Sequence, residues 1–561
     1  KSDEEAAAML TSALRPSLLR HASVHPSAWR SVPCRLFSTV SQFATVDPVS
    51  LSASEVHHIE NLVEGEWRKS KETYSVVDPL NGEPFIKAPK TTSDELGPFV
   101  SSLKKVPKSG RHNPLKSPER YLMYGRVFQK AAEHLHDPEV LDFFVKCIQR
   151  VMPKSYAQCK GEMTIIRTFL ENFSGDSVRF LCRGFTVAGD HLGQQSQGYR
   201  WPYGPVAVIS PFNFPLEICG MQMLGAAMVG NKPVVKTEST MGMPVEQFIR
   251  FMHFCGLPKD EIDFISCRGP VMSDLVSRAA VRMVQFTGSS ETSEKLSKLT
   301  KGRMKTEDSG FDWKILGPDV SDPEYVAWQC DQDAYAMSGQ KCSAQSLVAA
   351  HKNWVSAGLY DKVAALAKRR SLAELTLSPV LSHTTKDIMD HIEALSSLPG
   401  ARLLFGGRPL EDHKIPEQYG AVEPSAVLVP LDTLLQPNFF PTCTRELFGP
   451  VQVVTEWQDG EEGKLIEMCE WMSHHLTAAV VSSDMLFLQK ILGSTVNGTT
   501  YAGLRARTTG APQNHWFGPA GDPMAAGIGT PEAILQTWTC HREVVFDHGP
   551  IPEGWTTPPP T

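Results

Sequence analysis

From residue 204 onward the chain alternates short apolar runs with helical patterns, and that alternation restricts the fold more than any other feature. "VAVI" (206–209), "KPVVKTES" (232–239), "IDFIS" (262–266) and "VRMVQFTG" (281–288) read as strands. Between them, "LEICGMQMLGAAMVG" (216–230), "PVEQFIRFMHFCG" (244–256) and "SDLVSRAA" (273–280) read as helices. Strands and helices at this spacing form a parallel sheet with helices on its faces. Such sheets bind ligands at the carboxyl ends of their strands. "SPFNFP" (210–215), "KTES" (236–239) and "TGSS" (287–290) all fall there. A second α/β block covers residues 304–503, and its helix over 323–338 leads directly into the loop "SGQKCSAQS". The polar stretch 185–201 reads as a hairpin leaving the body, suited to a subunit contact.

Composition narrows the function. A chain of 561 residues is too long for one ordinary core. Its formal net charge of -7 carries no basic excess for nucleic acid, and no apolar run is long enough to span a bilayer. The twelve cysteines form no CxxC pair, so no metal site is expected and the thiols read as reduced. Residues 9–46 lack acidic side chains and carry Arg15, Arg20, Arg30 and Arg35 among serines and alanines. That is the composition of a transit peptide, with Met9 as the expected initiator and residues 1–8 as an expression remnant.

Five motifs, "YGPVAVISPFNFP", "FTGSS", "KTEDSGFDWKIL", "SGQKCSAQS" and "ELFGPV", stand in the order and spacing of the aldehyde dehydrogenase superfamily, which residues 46–552 resemble. "SGQKCSA" is similar to the Δ1-pyrroline-5-carboxylate dehydrogenases, and "EDSGFDWKILGPDV" and "WFGPAGDP" to their plant-type branch. The resemblance implies an α/β aldehyde dehydrogenase-like fold in three parts. A dinucleotide-binding domain takes 47–182 and 202–306, a catalytic domain 307–530, and a small β oligomerisation flap 183–201 and 531–555. It implies NAD-dependent oxidation of L-glutamate γ-semialdehyde to L-glutamate in proline catabolism, in the mitochondrial matrix, by a homodimer or homotetramer. Another semialdehyde is the alternative substrate. A glutamyl-phosphate reductase and a non-catalytic protein of the same fold are the further alternatives.

Carried over position by position, Cys342 resembles the family nucleophile. A thiolate is the protein's best nucleophile for an aldehyde carbon, provided a base or positive potential forms it. Glu307 resembles the general base, with neighbouring Asp308 a rival. Where the family follows this glutamate with Leu-Gly-Gly, the chain has Asp308-Ser309-Gly310 and keeps one glycine. Asn213 resembles the oxyanion residue. For the cofactor, the resemblance implies Ser210, Pro211, Phe212, Lys236, Gly288, Ser289, Glu446 and Phe448. Ser293 stands where a family glycine is usual, and Ser239 where the ribose-binding glutamate is usual, with Glu238 beside it. For the substrate, the implied residues are Ser343, Phe212, Phe517 and, in the glycine-rich stretch 518–532, Gly529 and Thr530. Lys341 has no role in this reading.

Overall fold

The computed structural model describes residues 38–561 apart from Ser309. The expected transit peptide therefore lies outside the described residues up to position 37. Its expected end at residue 46 is too late. Phe43 is buried and stacks on Phe144 with ring centroids 5.8 Å apart, and the Thr45 amide donates to Gln247. An aromatic ring packed into a core belongs to the folded body, not to a removable leader.

Two seven-stranded sheets dominate the body. In the first, Met304–Glu307, Met283–Thr287, Pro205–Ile209, Lys232–Lys236 and Asp263–Phe264 lie side by side and parallel. Asn61–Val63 and Glu66–Arg68 extend this sheet with antiparallel pairing. By chain order the five parallel strands run 3-2-1-4-5 across the sheet in reverse, the doubly wound arrangement. Its switch point falls between Pro205–Ile209 and Met283–Thr287, where loops part and leave a crevice. These strands are buried on both faces, which explains their continuous apolar runs.

The helix Glu217–Met228 is buried at every position. Its sequence therefore lacks a polar stripe and reads as apolar almost all round. Trp538 packs beside Gly225 and donates its indole N–H to Gln222 of this helix.

The second sheet orders Arg402–Phe405, Ser425–Leu428, Val451–Trp457, Gln345–His351, Asp312–Leu316, Thr477–Val481 and Thr499–Ala502. All but the first edge pair are parallel. The chain passes from the first sheet to the second between Glu307 and Asp312. It also returns. Thr306 donates to Met524, and Ala526 donates to Thr306, so the stretch around 524–526 lies along the outer edge of the first sheet. The sequence reading gave that stretch wholly to the catalytic domain. Backbone pairing instead ties it to the strand that ends at Glu307. A third, antiparallel sheet joins Phe185–Ala188, Gln194–Pro202 and Thr539–Asp547.

Candidate active site

The crevice at the switch point opens into a cavity of about 900 Å³. Ser210, Pro211 and Phe212 line it from the end of one strand, Gly288 and Ser289 from the end of the next. Lys236 and Glu238 close one side. Asn213, Glu307 and Cys342 lie at the other end, with Glu446 and Phe448. The structure thus brings together all the residues expected for the nucleophile, base, oxyanion contact and cofactor.

The nucleophile loop is built under strain. After the helix Pro323–Tyr335, Met337 and Ser338 take left-handed φ values of 57° and 52°, and Gly339 follows at 71°. Each non-glycine residue in that region costs about 1–3 kcal/mol, so the turn persists only because its surroundings hold it. The Ser338 hydroxyl accepts from the Ser378 amide, and the Gln340 side chain bonds Met337, Pro379 and Leu381. A Cβ on Gly339 would lie 2.1 Å from the Gly449 carbonyl, so only glycine lets this turn meet the "ELFGP" loop.

Cys342 sits half-buried at the end of the turn, facing Glu307. Both Glu307 oxygens are buried, and the Cys342 thiol is the group that faces them. Burial pushes the Glu307 carboxyl up to about 7. Burial and then Glu307 hold the Cys342 thiol well above its ordinary range, with Asp312 and Glu446 adding to the effect. The free site is therefore a neutral thiol beside a carboxyl poised near neutrality, the pairing that lets a proton pass between them. Asp308 is half-buried and faces His474, Asp522 and Ser293. Geometry thus favours Glu307 over its neighbour as the base.

Gly310 joins these parts. Its N–H donates to the Glu446 carboxyl at 3.2 Å, and a Cβ added to it would come within 2.5 Å of the Cys342 carbonyl oxygen. Burial pushes Glu446 up to about 8, opposed by this bond. Asn213 is held from behind. Lys154 donates to its carbonyl at 3.0 Å and pairs with Glu162 at 2.6 Å, both side chains fully buried. Glu162 in turn accepts from the Leu216 and Glu217 amides. The Asn213 side-chain oxygen is buried without a hydrogen-bond partner, and the residue lines the cavity beside Cys342. Sequence reasoning missed Lys154 and Glu162. Their spacing of eight residues carries no signal until both are known to be buried.

At the cofactor end, Glu238 accepts from the Thr240 amide and hydroxyl at 2.7 and 2.6 Å. The Ser239 carbonyl accepts from Tyr74, away from the cavity. Ser293 fills the place of the missing glycine and shares a hydrogen bond with Thr306. Phe448, at φ 55°, turns its ring edge-on toward Phe212, 5.7 Å away. The residues fit a dinucleotide. The cavity reaches the upper end of ligand-site volumes, passes the start of the helix Ser290–Thr300, and keeps a half-buried lysine inside it.

The residues expected at the substrate have these contacts. Thr530 caps the helix Pro531–Trp538 by accepting from the Ala533 amide, and Gly529, at φ 88°, packs against the Pro512 carbonyl. Phe212 lines the cavity described above, and Ser343, Phe517, Gly529 and Thr530 lie outside its lining. Phe517 pairs with Ile528 in the large core. Ser343 instead meets Thr509, hydroxyl to hydroxyl at 3.1 Å, and Lys341 donates to Thr509 at 3.2 Å and to the Gln332 carbonyl. Thr509 gave no signal in the sequence.

A cavity of dinucleotide size ending on a thiol and a buried carboxyl defines an oxidoreductase that handles aldehydes through a cysteine. The chain belongs to the aldehyde dehydrogenase family, whose model matches residues 67–520. A probable aldehyde dehydrogenase of Linum usitatissimum is 56% identical over 527 residues, 94% of this chain and 96% of that one. The mitochondrial Δ1-pyrroline-5-carboxylate dehydrogenase 12A1 of Arabidopsis thaliana is 55% identical over 520 residues, 92% and 94% of the two chains. A betaine aldehyde dehydrogenase from Staphylococcus aureus, solved with NAD+, shares the fold with a TM-score of 0.75 at 18% identity, over 91% of this chain and 98% of its own.

Gly310→Ala is expected to keep the fold and lower kcat at least ~10²-fold, because its methyl pushes the nucleophile loop from the base. Gly161→Ala, with nothing within 4 Å of its added Cβ, is the control and stays near wild type. Equal activity in the two variants would contradict the role given to Gly310.

Proposed function

We propose that the protein oxidises L-glutamate γ-semialdehyde to L-glutamate with NAD, as a homodimer or homotetramer in the mitochondrial matrix. The surroundings of Ser343 carry the substrate reading. Behind it stand the cations Lys314, Lys341, Arg370 and Arg507, with Asp333 paired to Lys314 and Arg507 and Asp331 to Arg370. Burial brings Lys341 down to about 8, opposed by Asp333, which still leaves it mostly charged at neutral pH. This positive excess, relayed through Thr509 to the Ser343 hydroxyl, suits the carboxylate end of a semialdehyde acid. It also gives Lys341 a purpose. The name of the Arabidopsis relative supports the same substrate and compartment. Glu238 in the cavity supports NAD, since its charge opposes a 2′-phosphate. Exposed Phe185, Val187 and Val545 on the three-stranded sheet support a subunit contact there.

In the mechanism, Glu307 takes the Cys342 proton as the sulfur bonds to the aldehyde carbon. The oxygen becomes an oxyanion that the Asn213 amide and the Cys342 N–H stabilise. Oxidation of the thiohemiacetal to a thioester needs a two-electron acceptor, which a bound oxidised nicotinamide would supply. Lys236 and Glu238 would hold its adenosine ribose, and Glu446 and Phe448 its nicotinamide end. Glu307 releases the first proton to solvent and, ionised again, accepts a proton from water, whose oxygen attacks the thioester carbonyl. The C–S bond breaks, the product leaves as a carboxylate, and the thiol is restored.

Steady-state comparison tests the reading. With NAD, kcat/KM for glutamate semialdehyde is expected to exceed that for succinate semialdehyde and simple aliphatic aldehydes at least ~10²-fold. A preference for an unsubstituted aldehyde would overturn it. The base must be ionised to work, and its carboxyl is raised, so the active form grows as pH rises through about 7. The kcat profile is expected to climb through that range and to lose the step in Glu307→Gln. A wild-type rate flat across it would contradict the assignment.

A further inference from the structure

The two residues beside Cys342 send their side chains to one hydroxyl. Lys341 Nζ donates to Thr509 Oγ1 at 3.2 Å, and the Ser343 hydroxyl meets the same oxygen at 3.1 Å. The Thr509 hydroxyl also donates to the Ser343 carbonyl at 3.3 Å. A hydroxyl has one proton and two lone pairs. With Ser343 donating to it, the Thr509 hydroxyl uses all three, and every bond goes to a residue adjoining Cys342. Thr509 itself lies outside the cavity lining.

The segment that carries Thr509 is pinned by a buried carboxylate. Asp333 lies on the helix Pro323–Tyr335, which leads into the nucleophile turn. It accepts from the Thr508 amide at 3.0 Å and from Arg507 Nε and Nη2 at 2.8 and 2.7 Å. Lys314, on the strand Asp312–Leu316, pairs with the same carboxylate at 2.8 Å, and both side chains are wholly buried. Removing one member of such a buried set is strongly destabilising, so the set holds residues 507–509 in place.

The Cys342 backbone has a task of its own in the mechanism above. Rotation about the side chain can place the sulfur, but only the backbone can aim the N–H at the oxyanion. We propose that Thr509 is a positioning residue: its hydroxyl restrains the Cys342 backbone from both sides, in a segment that Asp333 fixes, and so sets where the sulfur and the N–H stand. This rests on the reading of Cys342 as the nucleophile. It is separate from any role at the substrate carboxylate, because a positioned nucleophile serves every electrophile that enters.

Two electrophiles tell these roles apart in the full-length enzyme. Glutamate semialdehyde, turned over with NAD, carries a carboxylate. The ester p-nitrophenyl acetate carries none, and it acylates a thiol without a nicotinamide. Thr509→Val keeps the shape of the side chain and removes the hydroxyl. It is expected to lower kcat for the semialdehyde and the rate of nitrophenolate release alike, each at least ~10-fold, with Kd for NAD unchanged. Thr509→Ser is expected to restore both rates, and Thr509→Ala, which serves should the valine variant not fold, to lose both. A loss confined to the semialdehyde would overturn the proposal and assign Thr509 to the carboxylate end of the substrate. A serine variant as slow as the valine one, or a valine variant as fast as wild type, would also overturn it. Wild-type nitrophenolate release no faster than that of Cys342→Ala would instead overturn the reading of Cys342, and this proposal with it.

Discussion

The site depends on how closely the chain can cross from one sheet to the other. The base ends a strand of the first sheet, and the nucleophile loop enters a strand of the second. They meet because Gly310 lies against the Cys342 carbonyl with no room for a Cβ, while its N–H holds Glu446. One residue without a side chain thus sets the approach of Glu307, Cys342 and Glu446. The same logic recurs at Gly339 against Gly449. Backbone packing fixes the catalytic distances, and the side chains inherit them.

Around that contact the chain has buried more acid than base. Glu307, Glu446, Asp312 and Glu217 all stand above their ordinary ranges, chiefly through burial. The consequence is a thiol held in its protonated form, the form less open to oxidation and stray electrophiles. Positive charge is concentrated in two places instead. Lys154 ties Glu162 to the Asn213 loop, and the group around Lys341 stands behind Ser343. A substrate carrying both signs of charge is the one such a site would orient.

Much of this was legible in the residues. The alternation from residue 204 gave the parallel sheet, and the five motifs gave Cys342, Glu307 and Asn213, which the fold gathers at one end of a cavity. The departure at Asp308-Ser309-Gly310 was also informative, because the glycine retained is the one the crossing requires. The losses have physical causes. Lys154 and Glu162 look like surface residues on a helical segment, and only tertiary burial turns them into a tether. Gly529 and Thr530, expected at the substrate carboxylate, also have contacts that no local pattern reveals, a close turn past Pro512 and a helix cap. Phe43 lies in a stretch whose composition resembles a leader, although its ring belongs to the core. Thr509 sits 166 residues from Ser343, a pairing no local pattern reveals.

The central claim is that Cys342 carries the substrate covalently and that Glu307 releases it. Its most direct test is a single-turnover experiment on Glu307→Gln with NAD and glutamate semialdehyde, read by peptide mass spectrometry. One equivalent of NADH per subunit is expected, formed more slowly than in wild type because the base for the Cys342 proton is gone, followed by still slower turnover and a glutamyl thioester on the peptide containing Cys342. NADH formed without an adduct, or an adduct on a different cysteine, would contradict it.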